Sequence, residues 1–299
     1  MRRLKIDLGK HLPETVKHKL KRNVRAVMFA MLAVFTATLG LQAADSLALA
    51  NYSAVAVVAA EAGIQLPADG RTFESRSQTI DGKKQLPIYS VDRDDNKIAI
   101  SFDAAWGADD TDTLLAILHE HNVLTTFFLC GYWVVKYPEE VKRIHAAGHD
   151  IANHGDTHAH GAKLSLEGNK REIMGAHNKV RDLLGIEMNL FRPPFGEYNN
   201  TVLQAADALG YFTIQWDIDS HDWMNRGVQY EIDRVLKHPK LQSGSIILFH
   251  NDAPNTPQTL PTIIKGLQER GFTIVPISQL IHTENFHMNH EGRQVLKQQ

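Results

Sequence analysis

From Lys97 onward, short apolar or β-branched runs alternate with longer helix-like stretches. The short runs are Ile98 to Phe102, Thr125 to Cys130, Asp150 to Asn153, Asn189 to Arg192, Tyr211 to Trp216, Ser245 to His250 and Phe272 to Val275. Helix punctuation falls between them: Pro138 at a start, Gly148, Gly185 and Gly210 at ends, Pro257 and Gly271 around the last. Strands that alternate with helices predict parallel pairing through crossover connections, closed into a distorted barrel or left as an open doubly wound sheet. No glycine-rich phosphate loop follows the first strand, which disfavours the nucleotide-binding form of the open sheet.

Upstream the pattern differs. The stretch "AVMFAMLAVFTATLGLQAA", Ala26 to Ala44, carries no charge and follows a leader rich in Lys and Arg. It approaches the ~20 residues that cross a bilayer, and the basic leader predicts a cytoplasmic N-terminus. The expectation is a single-pass cell-membrane protein with its main domain extracytoplasmic; a cleaved signal peptide, with a secreted domain, is the rival. The expected organisation is a basic leader over 1–25, an anchor or signal segment over 26–44, a spacer over 45–85, a catalytic domain over 86–284 and a polar tail over 285–299. Within the spacer, Asp81-Gly82 suits the turn of a small β-hairpin.

Composition narrows the partners. A chain of 299 residues with 22% charged residues and a net charge of −2 has the material for a globular core and no basic field to draw nucleic acid. The single cysteine, Cys130, excludes an internal disulfide and argues against thiolate metal ligation, so it is expected to be a small core residue. A monomer is expected.

Polar residues then stand out at strand ends. Asp103, His154, Arg192, Asp217, Asp219 and His250 all fall at or just beyond the C-terminal ends of predicted strands, the rim where loops of a βα barrel converge on one cleft. In "NHGDTHAH", His154 and His158 have a spacing that lets two imidazoles face one ion, or they are two solvated loop histidines; His160 is a weaker substitute. Arg192 in "FRPPFGEY" is placed to pair with a buried carboxylate or to sit before a surface turn, and His250 in "GSIILFH" is a capped loop histidine or a general acid.

The ordered stretches "SFDAAWG", "NHGDTH", "FRPPFG", "DSHDW" and "SIILFH" resemble the polysaccharide deacetylases of the NodB-homology family, over roughly Leu86 to His282. The resemblance implies an α/β fold, a distorted (β/α) barrel of about seven parallel strands. It also implies a metal-dependent hydrolase removing acetyl groups from an N-acetylated glycan, foremost a peptidoglycan sugar. By the same resemblance Asp103 is the general base, oriented by Arg192, and His250 is the general acid, held by Asp222. Trp223 and Leu248 line the acetyl pocket, the backbone N–H of Phe195 meets the oxyanion, and His154 and His158 hold a divalent metal, zinc before cobalt or nickel. The wording "FDAAWG" resembles the membrane-anchored, sporulation-associated bacterial branch.

Two positions depart from the family. Ala104 stands where most members carry a second acid as third metal ligand, and Gly155 replaces a Ser or Thr, which is expected to loosen the loop between the histidines. Asp109 or Asp110 supplies the missing oxygen, Asp103 itself ligates, or two histidines and water suffice. Outside the deacetylase expectation stand a catalytically impaired carbohydrate-binding protein and an O-esterase or cyclic-amide hydrolase on the same scaffold.

Overall fold

A computed structural model describes residues 79–80 and 84–297. The chain opens with β1 (Thr79–Ile80) and β2 (Lys84–Gln85), which pair antiparallel on either side of the Asp81-Gly82 turn position. After β3 (Ser90–Val91) come β4 (Lys97–Ala104), helix α1 (Thr111–Glu120), β5 (Thr126–Leu129), α2 (Gly131–Lys136), α3 (Pro138–Ala146) and β6 (Asp150–Asn153). The long α4 (Leu166–Leu184), β7 (Leu190–Phe191), α5 (Asn200–Ala208), β8 (Phe212–Thr213), β9 (Ile218–Asp219) and α6 (Val228–Leu236) lead to β10 (Ile246–His250). Next are α7 (Thr256–Glu269), β11 (Thr273–Ile274), the short α8 (Ile277–Leu280), and β12 (Phe286–Met288) with β13 (Arg293–Leu296).

Seven strands lie in the order β8-β7-β6-β5-β4-β10-β9, all paired in parallel, and β11 joins the start of β4. This is a distorted half-barrel with helices: the alternating pattern predicted the parallel strands and crossover helices, and the family resemblance implied the distorted barrel. Each of the seven expected strands is found; β9, in the turn-rich "WDIDSHDW", was not anticipated. The gap between sheet edges is bridged by the segment through β3, where Ile88 pairs with Ile214 and Ser90 with Ser245.

Alternation along β4 sorts its side chains between two cores. Ile98, Ile100, Phe102 and Ala104 join the cluster packed beneath the helices, whereas Ala99 joins the barrel interior with Phe128, Ala152, Leu190 and Ile246. Ser101 and Asp103 continue the row that Ala99 begins, so the carboxylate ends an inward-facing row at the C-terminal mouth. The expected polar tail is in part folded: β12 and β13 form a hairpin, and β13 pairs in parallel with β3.

The expected membrane placement is corrected. Among the described residues no helix is long and apolar enough to cross a membrane. The longest, α4, is amphipathic, with Lys170, Arg171, Lys179, Arg181 and Asp182 interrupting its apolar positions. The segment 26–44, on which the anchor was expected, lies outside the described residues, as does the basic leader.

Candidate active site

A cleft of about 310 Å³ opens at the C-terminal mouth of the barrel, lined by Asp103, Trp106, His154, His158, Phe195, Gly196, Trp216, Asp219, Trp223, Leu248 and His250. Six strands, β4, β6, β7, β8, β9 and β10, or the loops after them feed it. Asp103 and His250 are register partners on the parallel pair β4 and β10, so they leave adjacent strands side by side, with backbones about 4.8 Å apart.

Arg192 is fully buried one residue beyond β7. Its Nη1 donates to Asp103 Oδ1 at 2.7 Å, its Nη2 donates to Gln215 O at 3.2 Å, and its guanidinium carbon lies 4.0 Å from the Phe128 ring centroid. Burial alone would raise the Asp103 carboxyl, but the charge and hydrogen bond of Arg192, with the neighbouring His250, outweigh it and hold the group below the usual carboxylate range. Asp103 is thereby an ionised carboxylate with Oδ1 engaged and Oδ2 turned to the cleft.

In the 3-10 turn Asp222–Met224, just after β9, Asp222 is completely buried and saturated. It accepts from the backbone N–H of His250 (2.7 Å) and of Trp223 (2.9 Å), from Thr256 Oγ1 (2.9 Å) and from His250 Nδ1 (2.8 Å). An acceptor on Nδ1 places that proton there and leaves Nε2 toward the cleft. Burial alone would lower the His250 pKa, but the hydrogen bond and charge of Asp222, with Asp103 and Asp219, carry it above the ordinary histidine value.

His154 ends the extension of β6, its N–H donating to Leu129 O at 3.0 Å. Its Nδ1 donates to Arg192 O at 2.8 Å, so in the neutral ring Nε2 carries the lone pair, and Nε2 stands 3.5 Å from Asp103 Oδ2. Two acceptors face each other there, an arrangement that a cation between or beside them relieves. His158, at φ 58°, touches His154, Trp106 and Phe195 by its ring edge. Burial lowers both histidines, His158 to about 4, leaving them neutral and able to ligate. The expectation that Gly155 loosens this loop does not hold. Gly155 sits at φ +77°, a conformation that suits glycine. Its N–H donates to Asn153 Oδ1 at 2.8 Å, and Glu172 receives the N–H groups of Asp156 and Thr157 together with Thr157 Oγ1.

The metal that the resemblance implies finds a donor set here, though a different one. Among the described residues, Cys130, His154 and His158 have ligand atoms within 4.8 Å of one another. Asp103, Asp109 and Asp110 are not in that set; Asp110 is raised by burial and by the charges of Asp252 and Asp109, which places it in an acidic neighbourhood instead. Cys130, expected as a core residue unsuited to ligation, is buried as expected but lies against the histidine loop, its Sγ donating to His154 O at 3.4 Å.

The remaining expected residues are divided. Trp223 and Leu248 line the cleft, Trp223 at 57% exposure and Leu248 at 2%. Phe195 also lines it, in the left-handed region at φ 61° within the 3-10 turn Pro194–Gly196. His160 turns aside to Glu197 Oε2 at 2.9 Å and stacks on Phe195. Asp217 is corrected: it precedes β9 instead of ending a strand, and it accepts from the N–H of Ile246 and the Ser245 hydroxyl at the start of β10, away from the mouth. Trp106 was missed; it stands 57% exposed on the rim against His158 and His250, and its place inside "FDAAWG" was the available signal.

Comparison with known proteins places the chain among polysaccharide deacetylases. The family model described as polysaccharide deacetylase matches residues 90–214. An uncharacterised protein of Bacillus subtilis strain 168, YlxY, is 29% identical over 195 residues, covering 65% of this chain, and the chain spans 60% of that protein's length. A peptidoglycan-N-acetylglucosamine deacetylase of Bacillus cereus is 33% identical over 198 residues, covering 64% of this chain and 92% of the relative. Among solved structures, a CE4 family pseudoenzyme from Bacillus anthracis superposes with TM-score 0.62 at 29% identity, covering 65% of this chain and 68% of that one. A mutant of that pseudoenzyme with restored enzymatic activity gives TM-score 0.62 at 30% identity, covering 65% and 70%. The chain therefore belongs to the NodB-homology polysaccharide deacetylase family, CE4.

Proposed function

We propose that this chain is a polysaccharide N-deacetylase that releases acetate from an N-acetylated cell-wall glycan, with peptidoglycan N-acetylglucosamine as the first candidate substrate. The observation that carries the reading is the pairing of Asp103 and His250 across β4 and β10, each backed by its own buried partner of opposite charge. A binding surface has no use for an ionised carboxylate beside an imidazole whose pKa its own carboxylate partner raises above the ordinary value, whereas amide hydrolysis needs a base and an acid. The Bacillus cereus relative supports the substrate class, and the wording "FDAAWG" supports the sporulation-associated branch.

Asp103 Oδ2 takes a proton from the attacking water while Arg192 keeps Oδ1 fixed. His250 Nε2 gives its proton to the departing amine, and Asp222 holds the ring in the tautomer that allows this. The Phe195 N–H, carried on its left-handed turn, is assigned to the developing oxyanion. Leu248 and Trp223 form the apolar wall against which the acetyl methyl packs. His154 and His158 would hold a divalent metal, which would supply a Lewis acid for the amide carbonyl.

Asp103→Asn tests the reading. Acetate release from N-acetylated peptidoglycan falls by about 10²- to 10⁴-fold, with the secondary structure retained by circular dichroism; unchanged release removes Asp103 from the mechanism. A second reading, a glycan-binding protein that has lost catalysis, is favoured by Ala104 and by the pseudoenzyme among similar structures. It takes precedence if the wild type binds glycan and releases no acetate with any of zinc, cobalt or nickel.

A further inference from the structure

The carboxylate missing at position 104 has a counterpart one strand away. β4 and β5 pair so that Ala104 faces Leu129, and the next residue, Cys130, donates its N–H to Ala104 O at 3.1 Å. Ala104 and Cys130 belong to the same buried cluster, so the thiol occupies the neighbourhood that the lost side chain vacated. From there Sγ reaches the donor set of His154 and His158.

We propose that Cys130 is the third metal ligand of this chain, a thiolate standing in for the carboxylate that Ala104 lacks. The proposal deepens the deacetylase reading, on which the metal-binding role of the two histidines rests. Zn–S and Zn–N bonds of about 2.3 and 2.0–2.1 Å place tetrahedral donors about 3.5 Å apart. A set already within 4.8 Å therefore closes on an ion by side-chain shifts on the order of 1 Å. The hydrogen bond from Nδ1 of His154 to Arg192 O already aims its Nε2 lone pair inward. Cys130 and His154 are buried, while His158 borders the cleft, so three protein donors leave one open position on the cleft side, the arrangement of a catalytic metal site. Coordination replaces the S–H bond by a sulfur–metal bond and passes the proton to solvent. A thiolate carries the same single negative charge as the carboxylate it replaces, and Asp103 is left free of the metal. The softer donor selects zinc or cobalt over magnesium or manganese.

The test uses the full chain, stripped with chelator and titrated with cobalt(II) alone and with zinc alone. Wild type is expected to bind one equivalent of cobalt and develop a thiolate-to-cobalt charge-transfer band in the near ultraviolet. Cys130→Ser and Cys130→Val lose the band and bind zinc more than about 100-fold more weakly, because an inner ligand matters more than the outer-shell contacts whose loss costs about 10- to 100-fold. Cobalt bound without the band, no cobalt bound, or unchanged zinc affinity in a folded Cys130→Ser protein overturns the assignment. If neither variant folds, the wild-type band decides alone. The readout is independent of turnover: a band without acetate release sinks the deacetylase reading and keeps the ligand, whereas acetate release by cobalt-loaded protein lacking the band does the reverse.

Discussion

Replacing Asp222 by Asn keeps the shape of the side chain and removes its charge. The carboxylate accepts four hydrogen bonds, two at Oδ1 from Trp223 N and His250 Nδ1, and two at Oδ2 from His250 N and Thr256 Oγ1. An amide has one acceptor oxygen, so its nitrogen meets two donors whichever way it turns. Two hydrogen bonds to a charged group, at about 1.5–3 kcal/mol each, predict a loss of about 3–6 kcal/mol. For a domain of this size that lowers Tm by roughly 6 to 24 °C. The His250 pKa then falls, because burial is left without the partner that outweighed it. A general acid must be protonated, so the alkaline limb of kcat/KM moves to lower pH, with the rate reduced by about 10²-fold or more. Stability follows the same sign. A histidine whose folded pKa is raised contributes stability that is fully present below the ordinary value and lost as pH rises through the folded one. The Tm gap between wild type and variant therefore narrows at high pH. Acetate-release profiles, calorimetric scans across pH and the NMR titration of His250 check these statements; an alkaline limb that does not move, or a titration identical in both proteins, refutes the assignment of His250 and Asp222.

Ala104→Asp alone is expected to change zinc affinity little, since the thiol already supplies the anionic donor; in the Cys130→Ser background the same substitution should recover most of the lost affinity without the charge-transfer band, as read by calorimetry and cobalt spectra. Asp109→Ala and Asp110→Ala, whose carboxylates stand apart from the donor set, should leave zinc stoichiometry and affinity unchanged in equilibrium dialysis.

The parallel βα order was legible because short strand-like runs and helix punctuation recur in every βα unit, the barrel form came from the resemblance, and the rim was legible because Asp103, His154 and His250 each fall at the end of a predicted strand. What escaped has physical causes. In "TTFFLCGYW" nearly every position is apolar on both faces, so nothing distinguishes a thiol packed under a helix from one turned toward a loop that arrives only through β5–β6 pairing. β9 is two residues long and is held by β10, a partner remote in sequence, in a stretch whose acids read as a turn. Asp217 was misplaced for the same reason, because a strand predicted to run to Trp216 stops at Thr213. The histidine loop was judged by the side chain Gly155 lacks, while its restraint comes from Glu172 on α4.

The pairing of β3 with β13 gives this domain an order of assembly. Val91 N–H donates to Gly244 O at 2.9 Å, and a Cβ at Gly244 would stand 1.6 Å from Val91 O, so the seam there admits no side chain. β3 lies near the beginning of the described chain, and its partners come from Gly244, Ser245 and residues 293–294. On a ribosome the first barrel strand, β4, must wait for β10 and β11 before its neighbours are complete, and the seam must wait longer still. Such long-range closure folds slowly, and until it is made the mouth that gathers Asp103, His154 and His250 has no fixed width. Proteolytic trimming after Met288 would spare every residue of the cleft and remove the β13 side of the seam, leaving the segment through β3 held by Gly244, Ser245 and Ile214.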